Sequence, residues 1–345
     1  MKAAVLRGKL DLGVEDVPMP HAEPGGLLVR VHAATICGSD VRSYKNGRAN
    51  VDQGHPLIMG HEFAGDIVEV GEGTHGFEVG QRVSLAPNFG CGTCDLCVSG
   101  QTNACHDYRA FGISIPGAFA HYVAIPHEAV RQGNVYVLRD GTSYEEAALI
   151  EPLSTVLNGQ KRMAAQPGSD VLVIGAGPIG IMHAMVAQLL GAGRVFMNDL
   201  NHERLMHACE LLGDVEPIEG DVASELHART GSGVDACIVA ASSPMAQAQS
   251  LEYMNTNGRL LFFGGLPTGS ERVSIDANLI HYRQLAIFGC TGQTLENYRA
   301  SARLVESGRV KLSEVITDRC SIDDFPMAME DAAAGKGLKR ALVFE

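Results

Sequence analysis

The hydrophobic pattern changes texture once along the chain. Over the first 150 or so residues, apolar runs are short and broken by glycine and proline: Ala3-Ala4-Val5-Leu6, Gly26 to Val31, Ala64 to Val70 and Gly80 to Leu85. Short alternating or apolar runs bounded by turn formers predict strands, and several in succession predict a compact, irregular β-barrel. After Thr142 the period lengthens. The run SYEEAALIEPLSTVLNGQ reads as a helix capped by Thr142 or Ser143, closed by the turn Gln166-Pro167-Gly168. Strands and helices then alternate. Val171–Ile174, Val195–Asn198, Ala236–Ala240, Leu260–Phe263 and Leu285–Phe288 are the expected strands, with helical runs such as ERLMHACELLG and SPMAQAQSLEYM between them. That alternation predicts a doubly wound parallel sheet over roughly residues 150 to 287. The tail adds two helices, LENYRASARLVESGRV and DDFPMAMEDAAAG, and a closing strand at Ala341–Phe344. No internal repeat or low-complexity tract interrupts this order.

The alternating half opens on VLVIGAGPIG, a strand that runs into Gly175, Gly177, Pro178, Ile179 and Gly180 and then into a helix. This is the strand, turn and helix of a dinucleotide site. Gly175 permits the turn, Gly177 lets backbone approach a pyrophosphate, and Gly180 lets the helix pack on its strand. The anion would then meet the helix N-terminus. A GxGxxG pattern alone is also met as a simple tight turn, so the surroundings decide. Asp199 ends the next strand, 24 residues past Gly175. A carboxylate there accepts hydrogen bonds from the adenosine ribose and repels a 2'-phosphate, which favours NAD over NADP. Its competing reading is an N-cap for ERLMHACELL. Arg204 reads equally well as a neighbour of the adenine or as a solvated helix residue.

Val171 to Gly193 carries no formal charge over 23 residues, long enough to span a bilayer. Pro178, His183, Gln188 and five glycines within it fit a buried strand followed by a buried helix instead. At 345 residues the chain is long for one core and predicts two domains. Its net charge of -13 argues against a nucleic-acid surface. Charges at Lys2, Arg7, Lys9 and Asp11 leave the N-terminus without the apolar stretch of a signal peptide. Nine cysteines without such a signal imply a reducing, cytoplasmic setting, in which clustered thiols serve as metal ligands more often than as disulfides.

Cysteine spacing supplies the sharpest chemistry. Cys91, Cys94, Cys97 and Cys105 stand as C-x2-C-x2-C-x7-C within 15 residues, sufficient to close a tetrahedral zinc site. An iron–sulfur cluster is the alternative, but no proline follows the fourth cysteine and no second set exists. With four thiolates bound no position stays open, so this zinc is expected to be structural. A second constellation is dispersed: Cys37-Gly38-Ser39-Asp40, Gly60-His61-Glu62 and Glu151-Pro152. Thiolate, imidazole and carboxylate together make a mixed zinc site, and three protein ligands leave a position for water or substrate. Taken singly, each piece also reads as a buried cysteine or a hydrogen-bonded His-Glu pair.

The order and spacing of Cys37, Ser39, Asp40, the Gly60-His61-Glu62 triplet, the four-cysteine lobe and GAGPIG resemble the zinc-dependent medium-chain dehydrogenase/reductases over essentially the whole chain. Glu151-Pro152-Leu153-Ser154 makes the likeness closest to the sorbitol and threonine dehydrogenase group. The resemblance implies a β-rich, GroES-like catalytic domain at 1–149 and 288–345 and a Rossmann NAD-binding domain at 150–287. It implies two zinc ions per chain, one structural and one catalytic, the latter bound by Cys37, His61 and either Glu62 or Glu151, or by both in exchange. Asp40 would orient His61, Ser39 would relay a proton, and Tyr44 resembles a pocket tyrosine of sorbitol dehydrogenases that could hydrogen-bond a polyol, with a loop-packing tyrosine as the competing reading. The stretch FGCTGQT at Phe288 to Thr294 lacks the arginine those enzymes carry, which leaves the polyol open. His32 and His55 are read as structural.

The expected activity is therefore NAD-dependent oxidation of a secondary alcohol, a polyol or sugar alcohol, to the ketone. L-threonine or a sugar acid is the alternative substrate. A catalytically silent zinc and NAD-binding sensor or structural protein is the rival from another class, and zinc-independent quinone reductases are disfavoured by Cys37 and His61. A homo-oligomer, dimer or tetramer, is expected, with Leu285–Phe288 as an edge for sheet extension.

Overall fold

The computed structural model describes residues 1–48, 51 and 54–344. The chain divides into two compact units, Met1–Ser154 with Gly292–Glu345, and Thr155–Thr291. The first crossing, after Ser154, falls inside helix Ile150–Met163 and not at its start. Glu151, in the first turn of that helix, therefore travels with the first unit. The single helix expected from Ser143 onward is two: Tyr144–Ala148, capped by the Ser143 side chain, and Ile150–Met163 after a break at Leu149.

In the first unit, short strands build an irregular sheet in the order Val135–Val137, Arg82–Leu85, Glu62–Val70, Leu27–Thr35, Lys339–Val343 and Ile316–Cys320. Tyr122–Ile125 also pairs with Leu27–Thr35. Leu27–Thr35 and Glu62–Val70 run antiparallel with register shifts between Leu28 and Val29 and between Val31 and Ala33. Such irregularities bend and twist a sheet, which lets it curl around a core. The core is aromatic: Phe63, Phe89, Phe111, Phe119 and Phe325 are each at most 2 % exposed. The closing strand carries Ala341 opposite Thr35, and Thr35 stands opposite Glu62 on the next strand. That ladder brings the two ends of the sequence to one row.

The second unit is a parallel six-stranded sheet ordered Glu216–Pro217, Arg194–Asn198, Asp170–Ile174, Val234–Val239, Met254–Phe262 and Ala286–Gly289. Strand order reverses between Asp170–Ile174 and Val234–Val239, the place where open α/β sheets bind ligands beyond their carboxyl ends. The glycine turn leaves from that point into helix Pro178–Leu189. A Cβ on Gly180 would run into the Gly175 carbonyl oxygen, so the helix seats on its strand only with glycine there. The expected helix SPMAQAQSLEYM shortens to Pro244–Gln249 before the chain turns into the long strand Met254–Phe262. No helix among the described residues is long and apolar enough to cross a membrane.

Helix Pro178–Leu189 also buries His183 completely. Its Nδ1 lies 3.3 Å from the Gln160 amide nitrogen, and its ring meets Phe263 edge-on at 4.5 Å. Burial alone pushes its pKa down to about 3, so the fold holds the neutral ring. A depressed histidine pKa means that the unfolded chain takes up the proton first as pH falls. Stability linked to His183 is therefore whole above about pH 6.5 and is lost toward pH 3, by about 1.4 kcal/mol per unit. Between pH 7 and 5, urea denaturation should show the native chain losing about 2 kcal/mol more than His183→Leu. Equal losses would contradict this reading of the ring.

Candidate active site

Backbone geometry places the dispersed constellation. Cys37 is the N-cap of helix Gly38–Asn46, two residues beyond Thr35 at the end of its strand. Asp40, in the first turn of that helix, accepts a 2.9 Å hydrogen bond from the Cys37 amide. Gly60 holds φ at +96° with Phe119 packed against its α-carbon, and this turn delivers His61 just before strand Glu62–Val70. The Cys37 sulfur, a His61 ring nitrogen and a Glu62 carboxylate oxygen all lie within 4.8 Å of one another. His61 is 5 % exposed and Glu62 fully buried.

Spacing and chemistry both fit zinc. Thiolate, imidazole and carboxylate are its ordinary donors, at about 2.3, 2.0 and 2.1 Å from the metal, so their atoms must converge to this degree. His61 Nδ1 is buried without a hydrogen bond and lies 3.5 Å from Asp40 Oδ1, while Nε2 lies 3.5 Å from Ser39 Oγ. Burial opposes a charge on this ring, yet Asp40 and Cys37 outweigh it and raise its pKa well above the ordinary value. An excess of negative donors around one imidazole is what a divalent cation neutralises.

Two residues that carry no motif complete the surroundings. Lys339, 4 % exposed on the closing strand, lies 2.8 Å from Glu62 Oε1, and Thr35 Oγ1 donates to Glu62 Oε2. Buried charges need such pairing, and this pair holds the carboxylate from the side of the sheet. Glu151 stays outside the converging set but within electrostatic reach of it. Burial first, and then Glu62 and Asp40, push its pKa up to about 7 against the opposing pull of His61 and Lys339. Tyr44 is placed differently from the other candidates: its ring belongs to the aromatic and aliphatic core of the first unit, with Glu330 the charged group acting on its phenol.

The four-cysteine lobe closes on itself. All four sulfurs lie within 4.8 Å of one another, and Cys94 and Cys105 Sγ are 3.7 Å apart. A regular tetrahedron with Zn–S of about 2.3 Å has an edge of about 3.8 Å. Amide nitrogens of Cys91 and Cys94 point at sulfurs 3.4 Å away. Hydrogen bonds from Thr93 and Cys94 bring the Cys91 pKa down to about 6.

In the second unit, Asp199 is bound to its own framework. Oδ2 accepts from the Ala176 amide in the glycine turn at 2.7 Å and from Arg204 Nε at 3.1 Å. Oδ1 accepts from the Asn201 amide at 2.8 Å and from Arg204 Nη2 at 2.7 Å. Burial works against its charge, but these bonds prevail and hold its pKa below the usual carboxylate range. The N-cap of the following helix is Asn201, not Asp199. Arg204, with its side chain 36 % exposed, pairs with Asp199.

A mixed zinc-fitting donor set beside a closed four-thiolate site, in a chain that also carries a dinucleotide-type turn on a doubly wound sheet, defines a zinc-dependent alcohol dehydrogenase. The chain belongs to the zinc-dependent medium-chain dehydrogenase/reductases, in the branch of the sorbitol and threonine dehydrogenases. Residues 23–133 match the alcohol dehydrogenase GroES-like domain and residues 178–307 the zinc-binding dehydrogenase domain. It is 34 % identical over 338 residues to sorbitol dehydrogenase of Bacillus subtilis (strain 168), covering 96 % of this chain and 93 % of that one. It is 35 % identical over 344 residues to L-threonine 3-dehydrogenase of Pyrococcus furiosus, covering 96 % of each. Among solved structures, a zinc-binding dehydrogenase of Sinorhizobium meliloti 1021 bound to NADP superposes with a TM-score of 0.90 at 30 % identity, over 99 % of both chains.

Proposed function

We propose that this protein oxidises the secondary hydroxyl of a polyhydroxylated small molecule to the ketone, with NAD as acceptor and two zinc ions per chain, one catalytic and one structural. The observation that carries the reading is the convergence of Cys37, His61 and Glu62 beside a second buried carboxylate, Glu151. When bound, zinc supplies Lewis-acid stabilisation of a developing alkoxide and the dinucleotide accepts the hydride.

The chain's own residues do the rest. Cys37 and His61 hold the metal. Asp40 ties the Cys37 amide to the side of the His61 ring and fixes both donors relative to one helix turn. Glu62 takes the third position from a carboxylate already oriented by Lys339 and Thr35, and Glu151, with a pKa near neutrality, exchanges with it or holds a proton beside it. Ser39 Oγ, against the His61 ring, passes the hydroxyl proton outward. Asp199 presents a carboxylate to the adenosine ribose and repels a 2'-phosphate, although Arg204 offsets part of that charge.

NAD reduction across neutral polyols, sugar acids, L-threonine and simple secondary alcohols tests the proposal, with NADP run in parallel. Turnover with a polyhydroxylated secondary alcohol is expected, with kcat/KM at least about tenfold higher for NAD than for NADP. Equal use of both cofactors would remove the role given to Asp199. No turnover with any alcohol would favour a silent zinc and dinucleotide-binding protein.

A further inference from the structure

Lys339 belongs to no motif, yet the sheet carries it to the candidate metal centre. The closing strand pairs Ala341 with Thr35, and the Ile36 amide donates to the Arg340 carbonyl at 3.0 Å, so the antiparallel pairing runs on and sets Lys339 across from Cys37. From there Nζ reaches both oxygens of Glu62, Oε1 at 2.8 Å and Oε2 at 2.6 Å. Thr35 Oγ1 donates to Oε2 as well. Lys339 is 4 % exposed and Glu62 fully buried, so water screens the pair little. Burial opposes a charge on the amine, but Glu62 first and then Cys37 outweigh it and raise its pKa.

A partner behind a metal ligand acts on it in one of two directions. A group that accepts from the ligand raises its donor strength, whereas a group that donates to it draws electron density away and lowers it. Both directions occur in this donor set. Asp40 Oδ1, 3.5 Å from His61 Nδ1, acts in the first. Lys339 and Thr35 act in the second, on Glu62. A carboxylate offers roughly four lone-pair positions, and these donors take up most of them. The Lys339 charge also cancels that of Glu62, so a divalent ion held here meets less negative charge and stays a stronger Lewis acid.

We propose that Lys339 is a positioning residue that keeps Glu62 a weak, exchangeable third ligand, so that a substrate hydroxyl or Glu151 can displace it while Cys37 and His61 hold the metal. This rests on the zinc dehydrogenase reading above and gives the exchange between Glu62 and Glu151 a cause. Without the ammonium, Glu62 is a buried carboxylate whose strongest remaining counter-charge is the metal, and the two bind more tightly. Removing Lys339 therefore strengthens metal retention and slows turnover. Loss of a residue that merely packs does the reverse to the metal.

The test follows zinc release to a chromogenic chelator, alongside kcat and KM, in the native enzyme and in Lys339→Met, Lys339→Arg and Thr35→Val. The release phase that is missing from Cys37→Ser identifies the catalytic site. In Lys339→Met that phase should slow by about 10- to 100-fold, and kcat should fall by at least about tenfold with both zinc ions still bound. Lys339→Arg, which keeps the charge, should return both most of the way to native. Thr35→Val removes the hydroxyl and leaves Lys339 in place, so it should slow release in the same direction but by less, and it gives the answer where Lys339→Met does not fold. Release from Lys339→Met, or from Thr35→Val in its stead, that is as fast as native or faster overturns the role of Lys339 and leaves the dehydrogenase reading standing. A native protein with no Cys37-dependent release phase overturns both.

Discussion

Replacing Cys37 with serine should cut alcohol oxidation by at least about a thousandfold while dinucleotide binding survives. The catalytic metal is asked to supply several kcal/mol of stabilisation to the developing alkoxide, and each 1.4 kcal/mol is about a factor of ten in rate. A serine hydroxyl is a poor substitute for thiolate, and the remaining His61 and Glu62 cannot hold zinc tightly. Lys339 and Thr35 already grip Glu62 from the sheet side, so Glu62 will not move to fill the gap. The residues given to the dinucleotide, Gly175 to Gly180 and Asp199, belong to the other compact unit and should be untouched. Parallel measurement of turnover and of NAD affinity by fluorescence checks both halves. Activity within tenfold of native would contradict the assignment of Cys37.

The second large effect concerns the four-thiolate lobe, which has little else to hold it. Helix Asp95–Val98 buries none of its residues, and Val98 is 75 % exposed. Where apolar burial is that sparse, the metal's binding free energy is the lobe's folding free energy, about 10 kcal/mol or more in small zinc domains. Cys97→Ser should therefore unfold residues 91–105 locally, lowering Tm by on the order of 10 °C and exposing the lobe to limited proteolysis. The Phe63, Phe111 and Phe119 core lies outside the lobe and should keep the rest of the unit folded. Native Tm and an intact lobe in this variant would show that the cysteines bind nothing structural.

Legibility followed sequence distance. The four cysteines, the Gly60-His61-Glu62 triplet and Cys37 were readable because their spacing is local and zinc chemistry demands those donors. The parallel sheet was readable because its strands and helices alternate. Lys339 was not, because it stands 277 residues from Glu62 and meets it only through the ladder that joins Glu62, Thr35 and Ala341. Asp199 was legible as the acid that follows strand Arg194–Asn198, but its bonds to Ala176 and Arg204 depend on how the turn closes. Tyr44 had two readings from its distance to Cys37, pocket or packing, and sequence could not choose because its place depends on the helix that carries it, which sets the residue in the core cluster.

The proposed enzyme holds two separate metal centres of different chemistry in one chain. Elemental analysis of the purified native protein tests that most directly. Two zinc ions per chain, falling to one in Cys37→Ser, is the predicted result, matching the two converging donor sets. A single zinc in the native protein, or two retained after Cys37→Ser, would contradict it.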